Sequence, residues 1–314
     1  MSLLERAFGW GGVIAYHGVG DSPHAPVMHV SPGRLRAQLE LLRNRREVVS
    51  LRELVGRWRA GTSTRNCVAI TFDDAYAGVL AHALPILRSL DIQATVFVAS
   101  DHAALGASYW WDDVERARLA STREWTETVN SIGLPKADAK APATVDIIRD
   151  RVLARFGGRW PGGLKGGGDS VWRSLTLSEL DSLAADERIE FGVHSLSHPA
   201  LPLLPYAEQV SEMRNNLRVL QERLPRVLPV VAYPYGLYDR TTVRAAREAG
   251  MIAGVTMEGR ATANHPDPMT APRIGAGEMH PPDSLARRLH RALRPALVAR
   301  NRGAHPRMPV DPSS

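Results

Sequence analysis

Cysteine is nearly absent from this sequence. Cys67 is the single cysteine among 314 residues, so no disulfide bond can form within the chain. It lies in the apolar run at residues 67–70, where a small buried hydrophobic side chain is the expected role. A fold that depends on internal disulfide bonds is therefore excluded.

Long hydrophobic runs are also missing. The sequence has no stretch of about 18 or more apolar residues, so we expect no membrane-spanning helix. The apolar stretch at residues 8–16 is short and rich in glycine, and Arg6 is the only basic residue before it. No small-residue cleavage site follows. A secretory signal is not expected, and the predicted location is cytoplasmic.

Charge of one sign is in excess only at the C-terminal end. The chain has 39 basic and 33 acidic residues, a formal net charge of +6. From residue 284 onward it has seven arginines and one acidic residue, so residues 1–283 carry no net charge. A basic chain often indicates a nucleic-acid partner, but a neutral body removes that indication. We expect no nucleic-acid partner. A hydrophobic fraction of 44% also excludes wholesale disorder.

The basic segment 284–314 is predicted to begin with a helix. Three leucines recur at four-residue steps between the arginines, and Pro295 ends the pattern. The leucines are Leu285, Leu289 and Leu293. One interpretation is a terminal helix packed on the body with a solvated basic face. The other is weak contact of residues 284–294 with an anionic membrane surface, which would make the protein membrane-associated. The oligomeric state is not predicted.

Short apolar runs alternate with helical patterns along the body of the chain. The helical patterns begin at Ser31-Pro32, at a capping box of Thr176 and Glu179, and after Asp239. The alternation predicts an α/β fold, either a barrel or a doubly wound sheet. Seven apolar runs are typical of strands buried on both faces of a parallel sheet: residues 12–16, 47–50, 67–72, 93–98, 189–193, 228–232 and 251–256.

Residues 101–175 interrupt this alternation. They contain Trp110 and Trp111, a weak helical pattern near 144–156 and a glycine-rich run at 157–168. The segment is too long for an ordinary connection from strand to helix. We interpret it as an insertion that forms a lid or a flap facing the substrate. The two tryptophans either form a sugar-stacking surface or pack in the core.

Two adjacent aspartates, Asp73 and Asp74, follow the strand predicted at 67–72. Carboxylates are costly to bury, but the carboxyl end of a barrel strand faces the pocket where such folds place their active sites. Neighbouring residues of a strand point in opposite directions. The chain must therefore kink if both carboxylates serve one site. The alternative is a solvated Asp-Asp turn.

Two histidines at i and i+4, His194 and His198, follow the strand predicted at 189–193. On one helical turn they would lie close together, as in sites that hold a divalent metal ion. Ser195 and Ser197 between them could orient the ligands. The alternative is a chance pair, since the chain has 11 histidines.

A turn of sequence Tyr233-Pro234-Tyr235-Gly236 follows the strand predicted at 228–232. Such a turn fixes the backbone at the exit of a strand and can aim an N–H group into a pocket. The alternative is an ordinary tight turn.

The three motifs together resemble the polysaccharide deacetylases, carbohydrate esterase family 4 or the NodB-homology domain. The matching residues are TFDD at 71–74, HSLSH at 194–198 and YPYG at 233–236, in the order of the family. The resemblance covers roughly residues 10–275 and implies a distorted (β/α) barrel of about seven parallel strands, for which we predict a domain at residues 1–283. It also implies removal of acetyl groups from N-acetylated sugars in an oligosaccharide, a polysaccharide or a lipid-linked glycan.

The resemblance also implies roles for individual residues. Asp74, His194 and His198 would be ligands of a divalent metal ion, with Zn²⁺ the first expectation. Asp73 would be the general base that activates a water molecule. Tyr235 would supply a backbone N–H that stabilises the oxyanion.

The sequence departs from the family pattern at two places. Many members carry an arginine where this chain has Ala232, and Arg273 is the candidate replacement. The usual C-terminal segment that carries the general acid is not clearly present. Tyr16-His17 resembles the N-terminal motif of the exopolysaccharide-deacetylase branch, so we predict His17 as the acid, with His280 in reserve.

Two other functions stay open on these observations. The chain could hydrolyse a small non-glycan amide if the insertion closed the pocket. It could also be a non-catalytic carbohydrate-binding relative, because the arginine and the acid are not where the family has them.

Overall fold

The strands of the protein lie in one parallel sheet in the computed structural model, which describes residues 11–21, 28–64, 66–113, 150, 152–154, 157, 171–259 and 267–292. Apart from one two-residue strand, each strand is largely apolar and mostly buried, as in sheets covered on both faces. The strands are β1 Gly12–Tyr16, β2 Glu47–Val48, β3 Cys67–Phe72, β4 Ala94–Val98, β5 Ile189–Val193, β6 Val227–Ala232, β7 Ala253–Thr256 and β8 Ala271–Gly275.

The sheet closes on itself because β1 pairs with two neighbours. Val13 lies opposite Ala69 of β3 and opposite Arg273 of β8. The remaining ring strands follow in the order β8, β7, β6, β5, β4 and β3. The result is a closed, parallel, seven-stranded barrel with β2 attached to β3 alone. The predicted (β/α) barrel is confirmed.

The predicted set of seven strands is wrong in one member. The run at 47–50 forms only the two-residue strand β2, which lies outside the ring. The seventh ring strand is β8, which the sequence pattern did not indicate. Its second residue is Pro272, and a proline inside a short run argues against a strand. Closure of the ring by β1 and β8 outweighs that local preference.

The helices begin where their capping residues predicted. The α-helices with six or more described residues are α1 Pro32–Arg45, α2 Leu51–Arg59, α3 Leu84–Leu90, α4 Ser100–Leu105, α5 Leu177–Ala184, α6 Tyr206–Arg223, α7 Arg240–Glu248 and α8 Pro282–Ala292. Ser31 and Asp239 cap α1 and α7, and the capping box of Thr176 and Glu179 opens α5. A π-helical turn at Val79–Ala83 leads into α3.

The interior of the barrel is packed mostly with small side chains. Phe97 of β4 is a large exception, and it lies opposite Gly192 of β5. A Cβ atom at Gly192 would lie 2.4 Å from Phe97 Cε1, so glycine makes room for the ring. Leu54 of α2 belongs to the same cluster and covers the amino-terminal end of the strands. The small inward residues include Val13, Ala69, Val230, Ala232, Ala253, Val255 and Ala271.

The C-terminal helix α8 packs on the barrel. Leu285 and Leu289 are fully buried in the cluster that contains Leu39 of α1. The Arg288 guanidinium donates to the carbonyl of Gly275 at 2.7 Å. The predicted helix at 284–294 therefore begins two residues earlier, with its apolar face against the body. Weak membrane contact through the arginines stays a prediction, as does the domain boundary at residue 283.

None of the helices in the described ranges is long and apolar enough to cross a membrane.

Both described ends of the 101–175 insertion lie beside the turn that follows β3. At one end the Tyr109 hydroxyl donates to Asp74 O at 3.1 Å. At the other end the Leu175 N–H donates to Ala75 O at 2.7 Å, and the Ala77 N–H donates to Arg173 O at 2.8 Å. The weak helical pattern at 144–156 and the glycine-rich run lie almost wholly outside the described residues. The lid or flap role therefore stays a prediction.

Replacement of Gly192 by alanine should destabilise the barrel. Because the added methyl group would overlap the Phe97 ring, we expect the free energy of unfolding to fall by about 1–3 kcal/mol. Urea denaturation followed by circular dichroism measures this change.

Gly56→Ala is the matched control. Gly56 lies in the middle of α2, and a methyl group added there would meet no atom within 4 Å, so alanine should stabilise the protein by up to about 1 kcal/mol. Equal effects of the two substitutions would contradict this packing of the barrel interior.

Candidate metal centre

The two aspartates after β3 leave the strand in a left-handed turn. Asp74 has φ 68° and Ala75 has φ 48°. The Asp73 N–H still donates to Tyr16 O of β1 at 2.9 Å, so Asp73 stays in register with the barrel. The Tyr109 hydroxyl donates to Asp74 O at 3.1 Å and holds the turn. The expected kink is present, and both carboxylates are buried.

The two histidines after β5 lie on a loop rather than on a helical turn. Ser195 has φ 59° and His198 has φ 56°, backbone conformations that cost about 1–3 kcal/mol each for residues with a side chain. The Ser195 hydroxyl accepts the N–H of His198 at 3.1 Å. The prediction of a helical turn was wrong, but the two rings are close, with centroids 4.7 Å apart.

Three side chains from the ends of β3 and β5 converge at the carboxyl end of the barrel. Asp74 Oδ1 lies 3.3 Å from His194 Nε2 and 3.4 Å from His198 Nε2. Burial alone would raise the pKa of the Asp74 carboxyl, but the two imidazoles hold it well below its usual value. The predicted metal ligands are therefore brought together.

The donor set fits a divalent cation. Asp74 Oδ1 is buried and has no hydrogen-bond partner among the described residues, as expected of an atom placed for a ligand. His194 Nδ1 lies 2.7 Å from Ala232 O. A proton on Nδ1 leaves the lone pair of Nε2 facing Asp74. Two imidazole nitrogens and one carboxylate oxygen suit zinc and other divalent transition metals.

Asp73 is held by a buried arginine from the strand that the sequence pattern missed. Arg273 of β8 donates to both oxygens of Asp73, each at 2.6 Å, and its side chain is fully buried. Arg273 also donates to the Thr71 hydroxyl at 3.2 Å. Burial favours the neutral acid, but the guanidinium lowers the pKa of Asp73 below its usual value. Arg273 therefore contacts Asp73 as expected of the candidate replacement.

Of the two candidate acids, His17 faces the site. His17 follows β1, and its Nε2 lies 3.8 Å from Asp73 Oδ2. Burial lowers the pKa of His17. His280 lies elsewhere, with its carbonyl accepting a hydrogen bond from Gln38 of α1 at 2.6 Å and its pKa lowered by burial and by Arg288.

Aromatic rings pack against the imidazole of His198. The ring of Tyr235 lies 4.8 Å from it and that of Trp111 lies 5.5 Å from it, measured between centroids. Tyr235 has φ 59° in the turn after β6. The Trp110 indole N–H donates to the Tyr235 hydroxyl at 3.1 Å. Trp110 is buried and Trp111 is half-buried, so the second tryptophan is the one that keeps some exposed surface.

One carboxylate that contacts the histidine loop has no signal in the sequence. Glu212 of α6 accepts hydrogen bonds from the backbone of Leu196 and Ser197. It lies in an ordinary amphipathic helix pattern, and nothing local distinguishes it from the solvated acids around it. Glu212 could have been identified only if the packing of the 18-residue helix α6 against β5 had been known.

Comparison with known families gives a match to the polysaccharide deacetylase family model. The match covers residues 60–122 and 138–254, which is more than half of the chain. An uncharacterized protein of Streptomyces coelicolor is 36% identical over 93 residues. That match covers 30% of this chain and 36% of the relative, so it spans little more than a third of the relative's length.

Three solved structures share the fold of this chain. The Streptococcus pyogenes deacetylase PplD, in complex with acetate, has a TM-score of 0.59 at 18% identity, covering 91% of this chain and 98% of that one. IcaB from Ammonifex degensii has a TM-score of 0.57 at 20% identity, covering 91% and 99%. The deacetylase domain of BpsB from Bordetella bronchiseptica has a TM-score of 0.54 at 15% identity, covering 85% and 95%. At these identities the likeness establishes the fold.

Removal of Arg273 should destabilise the protein, because the buried Asp73 carboxylate would lose its charged partner. Arg273→Met leaves that charge unpaired, so we expect the free energy of unfolding to fall by about 3–5 kcal/mol. The double variant Asp73→Asn/Arg273→Met leaves neither charge and should lose less than the sum of the two single variants. Chemical denaturation of all four proteins gives the coupling free energy. Strictly additive losses would show that the two groups do not stabilise each other.

Proposed function

The chain belongs to the polysaccharide deacetylase family, and on that premise we propose that it is a metal-dependent hydrolase of N-acetyl groups on sugars. The reaction class, hydrolysis of a carbon–nitrogen bond that is not a peptide bond, follows from the membership. The substrate would be an oligosaccharide, a polysaccharide or a lipid-linked glycan. The observation that carries the proposal is the convergence of Asp74, His194 and His198 beside the Asp73–Arg273 pair.

Asp74, His194 and His198 would hold the metal ion, with Zn²⁺ as our first choice. A divalent cation there would act as a Lewis acid that polarises the acetyl carbonyl and makes water easier to deprotonate. His194 is oriented for this by its contact with Ala232 O.

Asp73 would take the proton of the attacking water. Arg273 keeps the carboxylate ionised and binds both its oxygens, so the base is available in the correct form and orientation. The water oxygen then bonds to the carbonyl carbon of the acetyl group. The negative charge that develops on the carbonyl oxygen needs a donor, and the backbone of Tyr235, beside His198, is our candidate.

His17 would complete the reaction by protonating the sugar nitrogen. As the bond between that nitrogen and the carbonyl carbon breaks, the nitrogen must gain a proton to leave as an amine. The products are acetate and an amino sugar. The 3.8 Å separation between His17 and Asp73 supports an acid and a base that act on the same amide group.

A glycan substrate is favoured by the family and by the site's aromatic surface. The Trp111 ring is half-buried beside His198, and aromatic faces suit the apolar faces of pyranose rings. IcaB and BpsB, whose folds this chain shares, support a place in the exopolysaccharide-deacetylase branch. The position of His17 after β1 supports the same branch.

The non-catalytic alternative has lost its main motivation. It rested on an arginine and an acid that were not where the family has them. Arg273 now contacts Asp73, and His17 faces the same carboxylate. No observation favours hydrolysis of a small non-glycan amide over a glycan.

Purified protein should release acetate from N-acetylglucosamine oligomers, and Asp73→Asn should lower kcat by at least about 100-fold because the amide cannot act as the base. A chelator should abolish the release, and Zn²⁺ should restore it. Enzymatic determination of acetate measures both effects.

Asp181→Asn is the matched control for this test. Asp181 lies on α5 and pairs with Arg223 at the surface, so its activity should equal that of the wild type. Acetate release by Asp73→Asn at the wild-type rate would contradict the mechanism.

The two candidate acids can be separated by the same assay. His17→Gln should lower kcat by about 100-fold or more, whereas His280→Gln should leave it unchanged because, among the described residues, it is His17 and not His280 that lies beside Asp73. Zn²⁺ affinity, measured in parallel, should be the same in both variants. The reverse order of activities would identify His280 as the acid.

A further inference from the structure

A buried carboxylate outside the metal centre accepts hydrogen bonds from the loop that carries His198. Glu212 of α6 is 6% exposed. Its Oε2 accepts the N–H of Leu196 at 3.0 Å and the N–H of Ser197 at 2.9 Å. Its Oε1 accepts the Ser197 hydroxyl at 2.7 Å. Three donors of the five-residue loop from His194 to His198 therefore end on one side chain.

The loop depends on these hydrogen bonds because the backbone conformations of two of its residues are unfavourable on their own. Ser195 and His198 both have positive φ, and such residues keep this conformation only where the surroundings enforce it. The Leu196 carbonyl is held from the opposite side by the Asp101 N–H of α4, at 3.0 Å. The middle of the loop is thus fixed between α4 and α6.

Helix α6 is itself fixed relative to the barrel. Met213, next to Glu212, is fully buried in the cluster that contains Val193, the last residue of β5. One turn along, the Asn216 side-chain amide donates to the Ser100 hydroxyl of α4 at 3.0 Å. The position of the Glu212 carboxylate is therefore set by the core rather than by the loop.

From this geometry we propose that Glu212 is a positioning residue for the metal centre. It holds Leu196 and Ser197 so that His198 Nε2 faces Asp74 before any ion binds. The proposal rests on the metal-dependent function proposed above. Glu212 does not touch the reacting atoms, and its effect reaches the site through the backbone of the loop.

A carboxylate suits this role better than its amide. Both oxygens of a carboxylate accept hydrogen bonds, and charged acceptors form the stronger ones. In Glu212→Gln one oxygen becomes an NH₂ group, which cannot accept from the Ser197 or Leu196 donors. The substitution keeps the side-chain volume, so its main effect is the loss of hydrogen bonds between residue 212 and the loop.

The first test compares Zn²⁺ affinity. Wild-type protein, Glu212→Gln and Glu190→Gln are stripped of metal and titrated with Zn²⁺ against a chromophoric chelator. We expect Kd to rise about 10–100-fold in Glu212→Gln and to stay at the wild-type value in Glu190→Gln. Glu190 is a matched control because it is 7% exposed and binds Arg52 at the other end of β5.

The second test needs no metal ion. Hydrogen exchange of the backbone amides at residues 195–198 is followed in metal-free protein. In Glu212→Gln the loop amides should exchange faster than in the wild type. The amides of the barrel strands should exchange at the wild-type rate. Ser197→Ala, which removes the hydroxyl contact to Oε1 and keeps the backbone N–H contact to Oε2, should give an intermediate effect and serves if Glu212→Gln does not fold.

The outcomes separate the two proposals. Wild-type Zn²⁺ affinity in Glu212→Gln, or unchanged exchange in the loop, would overturn the role of Glu212. Equal loss of affinity in Glu190→Gln would also overturn it, because a general loss of stability would then explain the result. If the wild-type protein bound no metal ion, the proposed function would fail, while faster loop exchange in Glu212→Gln alone would still support the hydrogen bonds between Glu212 and the loop.

Discussion

The site depends on how two adjacent carboxylates can be buried side by side. Asp73 and Asp74 would repel each other and favour protonation inside the protein. The left-handed turn at Asp74 directs the two side chains to different partners. Asp73 pairs with Arg273, and Asp74 lies between the two imidazoles. Both acids can therefore stay ionised, as the proposed base and the proposed metal ligand must.

The barrel provides these partners because its ring brings distant strands together. β1 pairs with both β3 and β8. Asp73, which follows β3, is therefore close to His17, which follows β1, and to Arg273 of β8. Arg273 approaches from β8, while Ala232 of β6 leaves interior space and offers its carbonyl to His194. The arginine that pairs with Asp73 is thus on β8, whereas many family members carry theirs at the position of Ala232 on β6. The pairing depends on where the guanidinium group lies and not on which strand carries the arginine.

Features set by neighbouring residues were predictable from the sequence, and features set by distant ones were not. The Ser31 cap and most of the apolar strands were confirmed, since a few neighbouring residues determine them. The loop at His194 was predicted as a helical turn because i,i+4 spacing alone does not reveal positive φ angles. β8 was missed because Pro272 weakens its local pattern, and the pairing that compensates comes from β1.

The sequence by itself indicated the family through its three motifs, and through the family it indicated the barrel and the residue types of the proposed site, because aspartate and histidine after apolar strands combine functional groups at predictable places. It also restricted the net charge to the C-terminal segment. Only the tertiary structure decided which arginine binds Asp73, which histidine faces it, and that Glu212 holds the histidine loop. The partners in these contacts are 15 to 200 residues apart. Chain folding, rather than spacing along the sequence, makes them neighbours.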